Sequence, residues 1–480
     1  MNRRLRAPTG MAACSLALTL TLSACLVGPN YHQPQAVISP RFKELAGWKL
    51  GTPGDTIDRG AWWSVYRDPE LDGLEAEVAI SNQSLKATEA AYRQARALTA
   101  QASAALLPTL GLNAGASRSR DTVGTSDGRD LFDLQGQASW DLDIWGKIRR
   151  SVESNAATAQ ADAADLAAAK LSLQGLVATD YFQLRGADAL QSLLDRTVAN
   201  YQRALTIVQN QYDAGTAARS ALITAQTQVQ TTQAQAVNVG VVRAELEHAL
   251  AVLTGKPPAA LSVVPGVLAS VVPVPPPSVP ARLLERRPDI AAAERRMQAQ
   301  NALIGVAVAA YYPDISLSAA FGYSNAQLGS LFSVPSRVWS LGAAAGETLF
   351  DGGARSAKEE AAEAAYDESV ANYRQTVLSA LQGVEDQLST LRILDHEAEL
   401  QARAVASSLQ AVEITMNEYR AGTIDYTSVV TAEAIALGDQ ETALSIQQQR
   451  LVASALLIQD LGGGWTRADL PSADTRAALP

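Results

Sequence analysis

Cysteine is nearly absent from this chain, with two in 480 residues. One of them, Cys14, lies in an apolar stretch that reads as removable, so no disulfide framework can form. The three histidines, His32, His248 and His396, are far apart and show no ligand spacing such as HExxH, which leaves a zinc or His-based catalytic site without ligands. No metal and no cofactor is expected. Aromatic residues make up only 5% against 47% hydrophobic residues, and Ala, Gln and Ser are abundant. Small side chains of this kind suit close-packed helices. Basic charge is in deficit, with 39 Lys and Arg against 49 Asp and Glu; removal of Arg3, Arg4 and Arg6 with a leader would take the net charge from −10 to −13, which argues against a nucleic-acid partner. No stretch reaches the roughly 18 uninterrupted apolar residues of a transmembrane helix, so any crossing of a bilayer must be made by strands. Catalytic signatures are missing too. There is no nucleophile elbow, and Gly462-Gly463-Gly464 lacks the Lys and Ser/Thr of a phosphate loop, so a lipid-anchored envelope enzyme has no chemistry to rest on.

What is present begins with an address. Arg3, Arg4 and Arg6 precede an apolar run from Met11 to Leu22, the length of a signal-peptide core. It closes on Leu22-Ser23-Ala24-Cys25, similar to the lipobox of bacterial lipoproteins, which implies cleavage before Cys25 and acylation of Cys25. Leu26, rather than Asp, follows the cysteine, and by the same resemblance favours the outer membrane.

The chain is written twice. NQYDAGT (210–216) recurs as NEYRAGT (417–423), LLPTLGLNAG (106–115) as YYPDISLSAA (311–320), and WGKIR (145–149) as DGGAR (351–355), all at offsets of 205 to 207. Three separated matches at nearly one offset indicate two homologous halves. The expected boundaries are a signal peptide at 1–24, a lipidated extension and equatorial segment at 25–66, a first repeat at 67–256, a Pro-rich junction at 257–288, a second repeat at 289–462 and a tail at 463–480.

Within each half the hydrophobic period alternates, then turns helical. Phe132, Leu134, Ala138, Trp140 and Leu142 alternate with Asp133, Gln135, Gln137, Ser139 and Asp141, and Trp339, Leu341 and Ala343 alternate with Ser340, Gly342 and Ala344. This is the pattern of strands with one apolar and one wet face, in hairpins at about 109–145 and 314–350. Phe132, Leu134, Trp140 and Trp339 are expected to face lipid, and Asp133, Gln135, Asp141 and Ser340 the lumen, because strands of ten or more residues span a bilayer at a tilt. Downstream, Val370, Val377, Val384, Leu391, Ala398, Val405, Val412 and Tyr419 keep a seven-residue repeat, with Leu381, Leu388, Ala402, Leu409 and Met416 as a second seam. That is coiled-coil packing over about 100 Å of helix. The helices turn at Gly215-Thr216 and Gly422-Thr423, where Gly422 suits a C-cap and Thr423 an N-cap.

The segments AWWSVYRDPELDGL (61–74), RRPDIAAAERRMQAQNALIG (286–305), AAYYPDISLSAAFGY (309–323), LFDGGAR (349–355) and EYRAGTIDY (418–426) resemble the outer membrane factors, the TolC-like channels of tripartite RND efflux systems. The lipobox points to their lipoprotein, NodT-type branch. The resemblance covers about Tyr31 to Trp465. It implies a mainly helical fold with a membrane β-barrel: a homotrimer sharing twelve strands above a long periplasmic helical barrel, with an equatorial collar. It further implies a passive exit duct for drugs or toxic small molecules, fed by an inner-membrane RND-type transporter through a periplasmic adaptor, and contacts with outer membrane lipid. The residues argue separately for three copies. Four strands cannot close, eight close on their own side chains, and twelve leave room for water.

The repeat places Asp213 and Arg420 at equivalent positions, so six turns around one axis would set opposite charges side by side as a latch, with Asp425 as an acidic constriction. The plain alternative is solvated charge at helix ends, where exposed pairs contribute about 0–1 kcal/mol. Two other readings share parts of the pattern: a type I secretion exit duct, and a structural coiled-coil envelope lipoprotein.

Overall fold

Long Ala-, Gln- and Leu-rich stretches with few β-branched runs form helices, and the two alternating stretches form one sheet between them. The computed structural model describes residues 26–35, 41–44, 61–120, 128–273 and 286–471. Cys25 and the leader lie outside the described residues. Among the described residues the first half holds α1 (Pro69–Ser81), α2 (Gln83–Ala104), β1 (Thr109–Ser119), β2 (Arg129–Leu142), α3 (Lys147–Asp213) and α4 (Arg219–Leu253). The second holds α5 (Pro288–Ala309), β3 (Asp314–Asn325), β4 (Arg337–Gly346), α6 (Ala354–Arg420) and α7 (Tyr426–Asp460). The duplication is visible in the lengths, since α3 and α6 each have 67 residues and α4 and α7 each have 35. At 1.5 Å per residue, α3 and α6 each extend about 100 Å. No described helix is long and apolar enough to cross a membrane.

Each element starts for a local reason. Asp68 caps α1 by accepting from the N–H groups of Glu70 and Leu71, with Pro69 at the first helical position. Gly146 (φ 82°) and Gly353 (φ 92°) take the left-handed turn that aims α3 and α6 away from the sheet, a conformation costly for other residues. The four strands among the described residues are antiparallel in chain order, β1-β2-β3-β4, which leaves one edge of β1 and one of β4 without a partner among those residues.

The principal core sits midway along the helices. Trp62, Leu71, Val78, Val177, Phe182, Leu184, Leu250 and Leu451 pack there, under a strap around residues 261–272. A charged network fixes that strap: Asp188 accepts from Arg185, Arg243 and the Gly266 N–H, while Arg185 also donates to the Val264 carbonyl and the Tyr181 hydroxyl. Tyr181 in turn donates to Asp68, the α1 cap, at 2.6 Å. Every charge in this buried cluster therefore has a partner, the condition under which burying it is tolerable.

The seams of α6 depart from the simple repeat. Val377, Val384 and Leu391 of the first seam and Leu388 of the second are buried as the period requires, with Leu381 packed beside them, but beyond Leu391 the dry row passes to Leu394 and Ser408, with Ala402 and Leu409 exposed. From Leu391 onward the dry seam lies three residues after the first rather than four. An α-helix drifts relative to a strict heptad, so contact passes to the neighbouring row.

One buried carboxyl group has no hydrogen-bond partner on either oxygen among the described residues. Glu75 of α1 is fully buried and both its carboxylate oxygens lack hydrogen bonds. Burial, reinforced by Asp72, pushes its pKa up to about 9, so the residue is neutral in the folded protein at pH 7. A carboxyl whose folded pKa is raised stabilises the fold below its unfolded pKa of about 4.3 and loses that contribution as pH rises toward 9. Glu75→Gln should therefore raise the melting temperature at pH 8 by several degrees more than at pH 5, measured by circular dichroism in detergent. An equal shift at both pH values would show that Glu75 is not buried neutral.

Candidate functional site

In an antiparallel ladder opposite residues project to the same side, so the register decides which residues share a face. Leu110, Leu112, Ala114 and Ala116 of β1 stand opposite Ala138, Gly136, Leu134 and Phe132 of β2. Those continue into Ala319, Phe321 and Tyr323 of β3, with Trp140 opposite Leu317, and on to Leu341, Trp339 and Ala343 of β4. One face is thus apolar across all four strands. The other carries Asn113, Asp133, Gln135, Gln137, Ser139, Asp141, Ser316, Ser318 and Ser340. Phe132, Leu134, Trp140 and Trp339 fall on the first face, and Asp133, Gln135, Asp141 and Ser340 on the second. Trp339 and Leu341 are more than 70% exposed, so among the described residues nothing covers this face.

The upper border of the apolar face is oblique. Past the last apolar residue stand Arg118 on β1 and Asp130 on β2, directly opposite each other. On β3 the border residue is Asn325, opposite Phe132 and one rung lower; on β4 it is Arg337, opposite Tyr323 and a further rung lower. Two rungs lost over three strand spacings is roughly 14 Å along the strands for roughly 14 Å across them, a tilt of roughly 45°. That is the tilt of strands in a membrane barrel.

At the opposite end the sheet is riveted to the helices. Asp143 accepts from the N–H groups of Ile148 and Arg149 and from the Arg149 guanidinium; Asp351 does the same for Gly353 and Arg355 in the second repeat. Trp145 stacks on Tyr312 with ring centroids 4.7 Å apart and donates to the Pro313 carbonyl. Immediately below lies a cradle that the sequence did not reveal. Arg150, 1% exposed, donates to the carbonyls of Val27 and Gly28, to Asn30 Oδ1 and to Glu153. Asn301 donates to the Pro29 carbonyl, and Val27 N–H to the Trp145 carbonyl. Gly28 (φ 83°) crosses Gly305 so closely that a β-carbon on Gly28 would stand 2.4 Å from the Gly305 α-carbon. Residues 26–30 are thereby bound where α3 and α5 leave the sheet.

The helix tips repeat one another with a difference. Gly215 (φ 71°) and Gly422 (φ 75°) occupy the left-handed position after α3 and α6. Thr216 and Thr423 each close the outgoing helix, donating hydroxyl and N–H to the carbonyls of Gln211 and Glu418. Thr423 is therefore not the N-cap expected from sequence. Asp425 is, accepting from Ser428 N–H and Oγ, whereas its counterpart Ala218 supplies no side-chain cap to α4. Within the chain Asp213 and Arg420 do not pair: Asp213 accepts from Gln209, and Arg420 makes no ion pair among the described residues. The hairpins are instead joined by the Tyr419 hydroxyl, 2.5 Å from Gln211 Oε1, with Tyr426, Val208 and Leu222 packed beneath.

Residues 76–256 and 279–463 match the family described as outer membrane efflux protein. The chain is 28% identical to the cation efflux system protein CusC of Escherichia coli over 95% of its own length and 100% of that protein. It is 30% identical to the pyoverdine export outer membrane protein OpmQ of Pseudomonas putida, over 96% and 98% respectively. Among solved structures, the outer-membrane channel OprN aligns with a TM-score of 0.85 at 29% identity, covering 92% of this chain and all of that one.

Two measurements check this geometry. In membranes, Gln135→Cys should react with a water-soluble thiol reagent at least tenfold faster than Leu134→Cys; the reverse order would place the faces wrongly. Arg150→Met should leave the carbonyls of Val27 and Gly28 without their donor and release residues 26–35, read as faster amide exchange and proteolysis there with α3 unchanged; unchanged protection would show that Arg150 does not hold the segment.

Proposed function

Because the chain belongs to the outer membrane efflux protein family, we infer that it is the outer membrane channel subunit of a tripartite efflux pump. It gives passive exit to drugs or other toxic small molecules delivered by an inner-membrane RND-type transporter through a periplasmic adaptor. The observation that carries this reading is the uncovered apolar sheet face, bounded at a membrane tilt and bearing two open edges, on top of helices about 100 Å long. Three copies pair β4 with β1 around the axis and close twelve strands, which removes every edge from the lipid. The wet rows of Asp133, Gln135, Asp141 and Ser340 then line water.

The N-terminal cradle supports acylation at Cys25. Leu26, the residue after the lipobox cysteine, lies against Gly146, next to Trp145 of the ring pair at the base of the sheet, which holds the start of the described chain at the membrane end of the helices. A soft-metal relay inside one subunit lacks ligands, since among the described residues no three His, Cys, Asp or Glu side chains gather to hold an ion and Met297 is buried in the core, so the choice of cargo is left to the transporter. The gate lies at the helix tips. Asp213 of one copy faces Arg420 of the next as a latch, and the capping carboxylates of Asp425 ring the narrow end.

Purified protein in planar bilayers should conduct, and removal of Asp213 and Arg420 together should raise single-channel conductance severalfold and admit a large antibiotic to cells. Absence of conductance would remove the channel reading; unchanged conductance in the double variant would remove only the latch. Since Asp425 also caps α7, Asp425→Asn is the cleaner test of the acidic ring, because Asn keeps the cap and loses the charge. It should lower cation preference by a few fold with the melting temperature unchanged. Cys25→Ser should abolish incorporation of a fatty-acid probe, and retained labelling would exclude lipidation at that residue.

A further inference from the structure

We propose that each seam between neighbouring copies binds a phosphate group of an anionic glycolipid of the outer leaflet, through Arg337 of one copy and Arg118 of the next. The proposal rests on the twelve-stranded closure above. Arg118 and Arg337 both lie on the lipid-facing side, each directly beyond the last apolar residue of its strand, Ala116 and Trp339. They occupy the two free edges of the sheet, β1 and β4. Inside one chain they are three strands and two rungs apart, but the border between apolar and polar residues connects them along the tilt. Closing the barrel along that same border brings β4 of one copy beside β1 of the next at about 4.8 Å. Two guanidinium groups then meet at one height, at the end of the sheet opposite the helices.

The local charge is unbalanced toward cation. Arg118 has a loose pairing to Asp130 at 3.6 Å, both largely exposed. Arg337 is exposed and has no ion pair among the described residues. A pair of arginines at a hydrocarbon border is costly unless an anion sits between them, and a phosphate offers each guanidinium a bidentate contact. The surroundings select a lipid rather than a soluble phosphate. Phe332, 68% exposed, packs edge-on against Tyr323 with centroids 5.4 Å apart, and Tyr323 stands directly opposite Arg337. With Trp339 one rung below, the cation is bordered by an uncovered aromatic shelf that acyl chains can lie against.

Native mass spectrometry of the detergent-solubilised full-length protein tests this with hexa-acyl bisphosphorylated lipid A as the probe. The trimer should retain up to three copies, and the Arg118→Gln/Arg337→Gln double variant should retain at least tenfold less. Lipid A stripped of phosphate should bind the wild-type trimer as poorly as the double variant binds the intact lipid. Arg129→Gln, on the wet face, should leave retention unchanged. Equal retention by the double variant, equal retention of the stripped lipid, or loss in Arg129→Gln would each overturn the seam site on an intact trimer. A spectrum showing only monomer would overturn the closure instead.

Discussion

A strand edge cannot be left open in hydrocarbon. Each unpaired N–H and C=O there costs several kilocalories per mole, and no water is available to take its place. The sheet of this chain has two such edges and an apolar face that nothing among the described residues covers. From this one constraint the rest follows in order. The strands need copies of themselves; the copies need an axis; the axis passes through the wet face; and the helices that continue each hairpin are arranged around the same axis. The protein therefore has little choice about being a tube once its strands are in a membrane.

Duplication solves the geometry economically, and divergence between the halves shows where the two are used differently. Both repeats rivet strand to helix with an Asp that serves two backbone N–H groups and an Arg side chain, yet Asp351 stands two residues before Gly353 while Asp143 stands three before Gly146. The additional room in the first repeat holds Trp145, which reaches across to Pro313 of the second. Similarly, Asp425 caps α7 while Ala218 leaves α4 uncapped. A single point at each junction thus breaks the pseudo-twofold relation.

Much of this was legible in the sequence because the signals are periodic. The alternation from Phe132 to Leu142 and the valines at every seventh position of α6 are local patterns, and local patterns survive without knowledge of partners. The alternation assigned the faces of β2 and β4 residue by residue as the ladder has them. What was hidden depends on contacts far apart in the chain. Arg150 meets Val27 and Gly28 more than 120 residues away, and nothing in KIRRS marks the second arginine as buried. The second seam of α6 slips by one row after Leu391 because helix drift accumulates over 67 residues, an effect no heptad count contains. Thr423 looked like an N-cap because it follows Gly422; the chain needs two further residues to turn, and the cap passes to Asp425.

The oblique border of the apolar face also sets the bore of the duct. Twelve strands about 4.8 Å apart and tilted by about 45° close on a backbone radius of roughly 13 Å, wider than upright strands of the same number would give. Little of that width is lost to side chains, since Gly111, Gly115, Ser318, Gly322, Ser340 and Gly342 occupy much of the inward rows. A drug-sized molecule can pass such an opening with its hydration shell intact. The membrane section of the duct thus has no occasion to recognise what it carries, and selection among cargoes falls to whatever loads the other end.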